Sequence, residues 1–155
     1  MPEAEEQLTK IDARVTDDVA RNYGEYETLW AREVGDGEFE LRSVPMWVSG
    51  LAWGDVVTAK KRSPNDLPLV DGVARRGGHS TVLLAIEKDA LGKPFDRAWK
   101  ALAEEGCGWD AMSETLRAID IPPAANRRKV SKALEWGRVN EIWTYDALHV
   151  ADRAP

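Results

Sequence analysis

Residues that could bind an anion or move a proton cluster around a pair of glycines near the middle of the chain. Arg75 and Arg76 precede Gly77-Gly78, and His79 and Ser80 follow it. Histidine changes charge near neutral pH, and an arginine guanidinium binds carboxylates and phosphates through paired hydrogen bonds. Because successive side chains of a strand point to opposite faces, only one of the two arginines can face a given site. A bulge at the glycines would re-aim the residues that follow it.

Two neighbouring segments could complete such a site, since Asp55 follows Trp53-Gly54 and Thr81 follows Ser80. On this hypothesis His79 and Asp55 are the candidate catalytic residues. The ligand would be bound by five side chains: Arg75, Arg76, Ser80, Thr81 and Trp53. The structural alternative is a glycine-rich crossing in which His79 bonds a backbone carbonyl and Asp55 caps a turn. The sequence leaves both alternatives open.

Other chemistries find little support in the sequence. His79, His149 and Cys107 lie far apart, without the short spacing of metal ligands, so no metal site is predicted. Walker and Rossmann glycine patterns are absent from the sequence, and no cofactor is predicted. Cys107 follows Gly106 and is expected to be a buried apolar residue, although a pairing with a histidine is conceivable in space.

Composition bounds the class of protein. The 155 residues are 43% hydrophobic and 31% charged, which is typical of a folded soluble domain rather than a disordered chain. The net charge of -6 disfavours broad nucleic-acid binding. An apolar run of about 18 residues, which a membrane helix needs, is missing. The acidic start and the single cysteine predict a bacterial-type protein of the reducing cytoplasm.

Tryptophan is unusually frequent, with seven residues. Most fall within predicted strands or helices, where large rings fill a core and each indole N–H bonds a carbonyl. The alternative is an aromatic platform that stacks a nucleic-acid base or another planar ligand. Core filling is the favoured interpretation.

The first half of the chain predicts short strands joined by tight turns. Alternating apolar residues indicate a strand over 11–15, and the polar stretch 17–24 predicts a loop. A strand over 26–34 and the turn Gly35-Asp36-Gly37 predict a hairpin that ends before Pro45. Further strands are expected over 55–61 and 67–76. Closely spaced antiparallel strands favour a small curled sheet or barrel.

The second half predicts strands that alternate with helices. A strand over 80–86 is apolar on both faces. Pro94 and a helical apolar stripe from Phe95 to Ala103 predict a helix that Gly106 ends. Residues 107–121 form a hairpin or a single strand, Asn126 caps a second helix, and 142–148 is the last strand. With a hairpin, this is the split β-α-β, or ferredoxin-like, order.

The predicted fold is therefore α+β, with a small N-terminal antiparallel β-sheet or barrel packed on a C-terminal ferredoxin-like half. The predicted divisions are an acidic tail (1–7), a β-rich half (8–78), a ferredoxin-like half (79–150) and a C-terminal tail (151–155). Residues 75–81, which we call the seam, connect the two halves. Both halves can therefore contribute side chains to a site at the seam.

Several segments, in this order and spacing, resemble the uncharacterised bacterial family DUF4265: Glu27-Thr28-Leu29-Trp30-Ala31, Val44-Pro45, Gly50-Leu51, Trp53-Gly54-Asp55-Val56-Val57 and Gly78-His79-Ser80-Thr81. The similarity extends to Ile119-Asp120-Ile121-Pro122 and so covers most of the chain. The family pattern has Asn before the Val-Pro pair and an aromatic residue after it, where this chain has Ser43 and Met46. The resemblance implies that the Gly-Asp-Val-Val and Gly-His-Ser-Thr segments lie together, and it implies no activity. The second half also resembles, more loosely, the ferredoxin-like regulators of ribonuclease E in fold pattern.

Two functions of different classes fit these observations. The first is a small binding or regulatory protein that docks a protein partner, as an inhibitor or an immunity-type factor does. An acidic surface that suits a basic partner and sheet edges open to pairing favour it. The second is an enzyme or small-anion binder that uses His79 with Arg75 or Arg76 at the seam. RNA binding on an aromatic sheet face is disfavoured by the net charge.

Overall fold

The first five strands close into a barrel, in a computed structural model that describes residues 6–16 and 24–152. The strands are β1 (Thr9–Arg14), β2 (Tyr26–Gly35), β3 (Glu38–Leu41), β4 (Val56–Lys60) and β5 (Leu69–Arg75). Successive strands pair antiparallel, and β1 closes the barrel by pairing parallel with β5. The predicted antiparallel barrel is confirmed. The predicted loop over 17–24 and the acidic tail lie largely outside the described residues.

The apolar residues that alternate with polar ones along the strands fill the interior of the barrel. Inward-facing side chains come from four of the strands and form one cluster: Ile11, Ala13, Leu29, Ala31, Phe39, Leu41, Val57 and Ala59. The turn between β2 and β3 needs Gly37, whose φ of 71° lies in the left-handed region that glycine adopts without strain. Local sequence pattern therefore specifies both the strands and the first hairpin.

The second half contains a four-stranded sheet and two helices. Its elements are β6 (Ser80–Ile86), a short 3-10 helix (Lys88–Ala90), α1 (Lys93–Glu104), β7 (Gly108–Ala111), β8 (Leu116–Ile121), α2 (Arg127–Val139) and β9 (Trp143–His149). The strand order is β7-β8-β6-β9, and each neighbouring pair is antiparallel. The α+β prediction is confirmed, and residues 107–121 form two strands rather than one.

Capping residues set the ends of the two helices. Pro94 lies in the first turn of α1, and Gly106, with a φ of 84°, follows its end. Asn126 caps α2, since its side-chain oxygen accepts a hydrogen bond from the Lys129 amide at 3.1 Å. Ala103, placed in the apolar stripe by its spacing, is exposed. In the described part of the chain, neither helix is long and apolar enough to cross a membrane.

Both faces of the second sheet are covered. The helices cover one face, where Val82, Leu84 and Ile119 pack against Phe95 and Leu134. Residues 43–55, which connect β3 to β4 and which we call the bridging segment, cover the other face. Its side chains form a third cluster with the sheet: Val44, Met46, Trp47 and Trp53 with Leu83, Leu116 and Ala118. The bridging segment therefore packs directly on the second sheet.

The seam is an irregular connection rather than a bulged strand. Strand β5 ends at Arg75 and β6 begins at Ser80, so residues 76–79 belong to neither. A Cβ atom on Gly77 would lie 2.7 Å from the Gly54 carbonyl carbon and oxygen, a distance that real Cβ atoms do not show. Gly77 is therefore required for the close approach of the seam to the bridging segment.

Candidate functional site

Asp55 anchors the seam to the end of the bridging segment. Its side chain is fully buried. Its Oδ1 accepts a hydrogen bond from the Gly77 amide at 2.9 Å, and its Oδ2 accepts from the Ala52 amide at 3.0 Å and from Nη1 of Arg76 at 2.9 Å. Three donors therefore satisfy this buried carboxylate, which a buried charge requires. The arrangement joins the loop before β4 to the start of the seam.

Only one of the two arginines reaches this carboxylate: Arg76, which lies just beyond the end of β5. Arg76 also donates through Nη1 to the Gly50 carbonyl at 2.6 Å, and 49% of its side chain is exposed. Arg75 points away and pairs with Glu38 of β3 at 3.2 Å. Of the predicted ligand-binding residues, Arg76 therefore lies with Asp55, and Arg75 does not.

His79 pairs with an aspartate that the sequence hypothesis did not include. Its Nδ1 lies 2.7 Å from Oδ1 of Asp120 on β8, and both side chains are mostly buried. Burial raises the pKa of Asp120, and the hydrogen bond and charge of His79 oppose that rise. The ring packs near Gly54, where a Cβ atom would lie 3.5 Å from His79 Cδ2. A histidine–carboxylate pair of this kind can hold a proton and join β8 to the seam.

The remaining predicted residues bond to backbone groups or pack in a core. Ser80 Oγ accepts a hydrogen bond from the Ala151 amide at 3.0 Å, and the buried Thr81 hydroxyl donates to the Leu51 carbonyl at 3.2 Å. Trp53 belongs to the cluster under the bridging segment, with the guanidinium of Arg42 5.7 Å from its ring centroid. The Gly-Asp-Val-Val and Gly-His-Ser-Thr segments lie together, because Gly54 lies beside His79 and Asp55 accepts a hydrogen bond from the Gly77 amide.

A cleft opens beside Arg76, with a volume of about 330 Å³. Its lining residues are Arg76, Gly78, His149, Ala151 and Asp152. The histidine in this cleft is thus His149, at the end of β9, and not His79. The place of His149 beside Arg76 could not be predicted from the sequence, because no local pattern connects these two distant residues.

The stability of the protein should depend on the protonation of His149. Burial and then the charge of Arg76 lower the pKa of His149 below its ordinary value of 6.5, against the opposing charges of Asp55 and Asp152. Such a group contributes stability that is present above pH 6.5 and is lost as the pH falls through the folded-state pKa. We expect His149→Gln to reduce the loss of stability between about pH 7 and about pH 5, measured by urea unfolding. Identical pH profiles for the two proteins would contradict this assignment.

Two further carboxylates that sequence reasoning missed also hold the bridging segment. Glu27 of β2 accepts hydrogen bonds from the amides of Met46, Trp47 and Val48 at 2.8, 2.9 and 3.1 Å. Burial raises the pKa of Glu27, although these three bonds lower it. Asp110 of β7 accepts a bond from the Val44 amide at 2.7 Å. Glu27 opens one of the segments that carry the family resemblance, which was the available signal.

Cys107 should be a poor nucleophile. Its side chain is buried, as predicted, and burial, with the charges of Asp120 and Glu105, raises its pKa to about 11 from 9.0. At about pH 8 the folded protein should hold about 100-fold less thiolate than the unfolded chain. We therefore expect Cys107 to react with Ellman's reagent at least that much more slowly in the native protein than in denaturant. Equal rates would contradict the buried thiol.

Comparison with known proteins identifies the family. The model of the family described as "Domain of unknown function (DUF4265)" matches residues 27–145, and the chain belongs to this family. A solved structure described as "Novel crystal structure of a hypothetical protein from Neisseria gonorrhoeae" is similar with a TM-score of 0.77 and 16% identity. The match covers 97% of this chain and 100% of that one, so the two share a fold. A search of curated proteins found no match.

Proposed function

We propose that the protein is a small binding or regulatory protein that docks a protein partner at the open edge of its second sheet. The edge is strand β7, which pairs with β8 on one side and with no other strand among the described residues. The first sheet is a closed barrel and presents no edge of this kind. We interpret the second half as a ferredoxin-like module, to which a partner strand adds at β7.

The observation that carries the proposal is the exposure of two large apolar side chains at this edge. Trp109 on β7 is 40% exposed, and Met112 directly after β7 is 53% exposed. Tryptophan and methionine are enriched in the centres of protein interfaces. The opposite edge, β9, carries the exposed polar residues Thr144 and Asp146, and charged edge strands resist pairing. Edge β7 is therefore the favoured surface through which the protein would dock its partner, as an inhibitor or an immunity-type factor does.

The alternative function, an enzyme or small-anion binder at the seam, has weaker support. Asp55 neutralises Arg76, and Asp152 adds a second carboxylate to the cleft. An anion in this cleft would meet no net positive charge from these three side chains. His79 bonds Asp120 and is not one of the residues that line the cleft. Neither member of the predicted catalytic pair, His79 and Asp55, is therefore among the residues that line this cleft.

The test is affinity purification of the tagged chain from cells that produce it naturally. We expect a partner protein in stoichiometric amount that is retained by His79→Ala and lost with Met112→Asp. The matched control is Val139→Asp on α2, where the side chain is 64% exposed and the same charge is added. If the partner still co-purifies with the Met112→Asp variant, the docking surface lies elsewhere on the protein. A co-purifying small anion that is lost with Arg76→Gln, in the absence of a protein partner, would favour the alternative.

A further inference from the structure

Arg117 on β8 is a cation that packs on aromatic rings at the edge that docks the partner. Its guanidinium carbon lies 4.4 Å from the ring centroid of Phe95 and 4.6 Å from that of Trp109. The Phe95 and Trp109 rings meet edge to face with their centroids 5.9 Å apart, and the Trp99 and Trp109 ring centroids are 4.5 Å apart. These contacts fix the guanidinium in one place, so that little conformational entropy would be lost on binding.

The hydrogen-bonding capacity of Arg117 is largely unfilled. Its Nη2 donates to the Glu114 carbonyl at 3.3 Å, and its buried Nε makes no hydrogen bond within the described part of the chain. No carboxylate among residues 6–16 and 24–152 lies within 4.0 Å of it. Other arginines do find carboxylates in the chain, as Arg76 does with Asp55. The buried Nε is closed to a partner, so a planar anion would bind the two Nη groups, of which Nη1 makes no hydrogen bond within the described residues.

The position of Arg117 relative to β7 suggests where that anion comes from. Ala111 of β7 lies opposite Arg117, and Trp109, on the same face of β7, lies beneath the guanidinium. A strand added to β7 would lie about 5 Å beyond it, with its side chains alternating between the two faces. A carboxylate on the face that Arg117 occupies can reach the guanidinium, and an apolar side chain two positions away, on the same face, can cover Trp109.

We propose that Arg117 is the carboxylate-binding position of the docking surface, and that the partner supplies an extended segment with an acidic and an apolar residue two positions apart. This inference rests on the proposed docking function. The net charge of -6 disfavours the approach of a strongly acidic protein, because overall charge governs the encounter of two proteins. A single acidic residue in a neutral or basic partner avoids that penalty, while the local pair with Arg117 fixes the register of the segment.

The experiment selects random displayed peptides on the immobilised full chain and measures the affinity of the enriched peptides by fluorescence anisotropy. We expect enriched peptides with Asp or Glu two positions from an apolar residue. Replacing the peptide acid by its amide should weaken binding about tenfold or more, the loss expected for a charge-assisted pair. In Arg117→Gln the same replacement should have no further effect, so that the two losses are coupled.

Two variants separate binding from folding. Arg128→Gln removes an equal charge from an exposed residue of α2, a helix that packs against α1 and β9, and should leave peptide affinity unchanged. If Arg117→Gln fails to fold, Met112→Asp replaces it, because it adds a negative charge at an exposed position near the site. It should lower the affinity of the acidic peptide at least as much as it lowers the affinity of the amide form. Three results would each overturn the inference. They are enriched peptides that lack an acidic residue, a peptide affinity that neither Arg117→Gln nor Met112→Asp changes, and no enrichment of any peptide. Loss of the co-purifying partner with Met112→Asp would meanwhile still support the docking function by itself.

Discussion

Replacement of Asp55 by asparagine is expected to lower the free energy of unfolding by about 3 kcal/mol. The carboxylate accepts from the Gly77 amide through one oxygen, and from the Ala52 amide and Arg76 through the other. Asparagine offers one oxygen and one NH₂ group, so at least one buried N–H must face another donor. Arg76 also loses its counter-charge, although its half-exposed side chain can be solvated in part. The site cannot relax easily, because Asp55 is fully buried.

Thermal unfolding followed by circular dichroism measures this effect, and a fall in Tm of roughly 10 °C is expected. The control is Arg75→Gln, which breaks the neighbouring but largely exposed pair with Glu38 and should cost less than about 1 kcal/mol. Arg76→Gln should fall between the two, because it leaves Asp55 with its two amide donors. If Asp55→Asn is no more destabilising than Arg75→Gln, then Asp55 does not hold the seam.

The elements of this fold were predictable because their signals are local. The glycines at 35 and 37, the cap at Asn126 and the two periodicities of apolar residues each lie within one element. The order of elements in the second half then restricts the sheet to few topologies. A bulge was expected at Gly77-Gly78, but these glycines lie in an irregular connection between two strands. Gly77 is needed there because its backbone approaches Gly54 closely. That contact joins residues distant in sequence, which no local pattern reports.

The candidate site was predictable only in part, for the same reason. The sequence led us to expect that only one of Arg75 and Arg76 faces a given site, but the positions of Glu38 and Asp55, distant in sequence, determine which arginine pairs with which carboxylate. The partner of His79 is Asp120, 41 residues away, which no local pattern distinguishes and which the sequence marks only as part of a segment similar to the family. Glu27 and Asp110 reach the bridging segment from different sheets. A polar residue in an alternating strand predicts a solvent-facing side chain, so these acceptors looked like ordinary surface residues.

The tryptophans illustrate a further limit of sequence reasoning. Trp109 and Trp143 both lie in strands, yet Trp143 is buried and Trp109 is 40% exposed. Both strands are edges of the sheet, so their difference follows from what covers each ring rather than from local sequence. Trp143 begins β9 and is buried in the core beneath α2, to which its Nε1 donates a hydrogen bond, whereas Trp109 on β7 stays partly exposed. The sequence could therefore predict aromatic packing, but only the three-dimensional placement of the helices distinguishes the buried ring from the partly exposed one.

Replacement of Gly137 by alanine is expected to destabilise the protein by about 2 kcal/mol or more, although alanine is the better helix former by about 1 kcal/mol. Gly137 lies within α2, where the added Cβ would meet Trp143 Cε2 at 2.1 Å and Nε1 at 2.5 Å. The ring cannot move aside freely, because it is buried and its Nε1 donates to the Leu134 carbonyl at 2.9 Å. Overlap with the core therefore outweighs the gain in helix propensity.

A double-mutant cycle with Trp143→Phe, measured by urea unfolding, tests this cause. Phenylalanine lacks the indole nitrogen and the second ring, so Gly137→Ala should cost much less in the Trp143→Phe background than in the wild type. The control is Gly108→Ala, where an added Cβ meets no atom within 4 Å and little change is expected. An equal cost of Gly137→Ala in both backgrounds would mean that the glycine is required for another reason. A cost that falls with the smaller ring would show that Gly137 is required because only a residue without a Cβ lets α2 pack closely on the Trp143 ring.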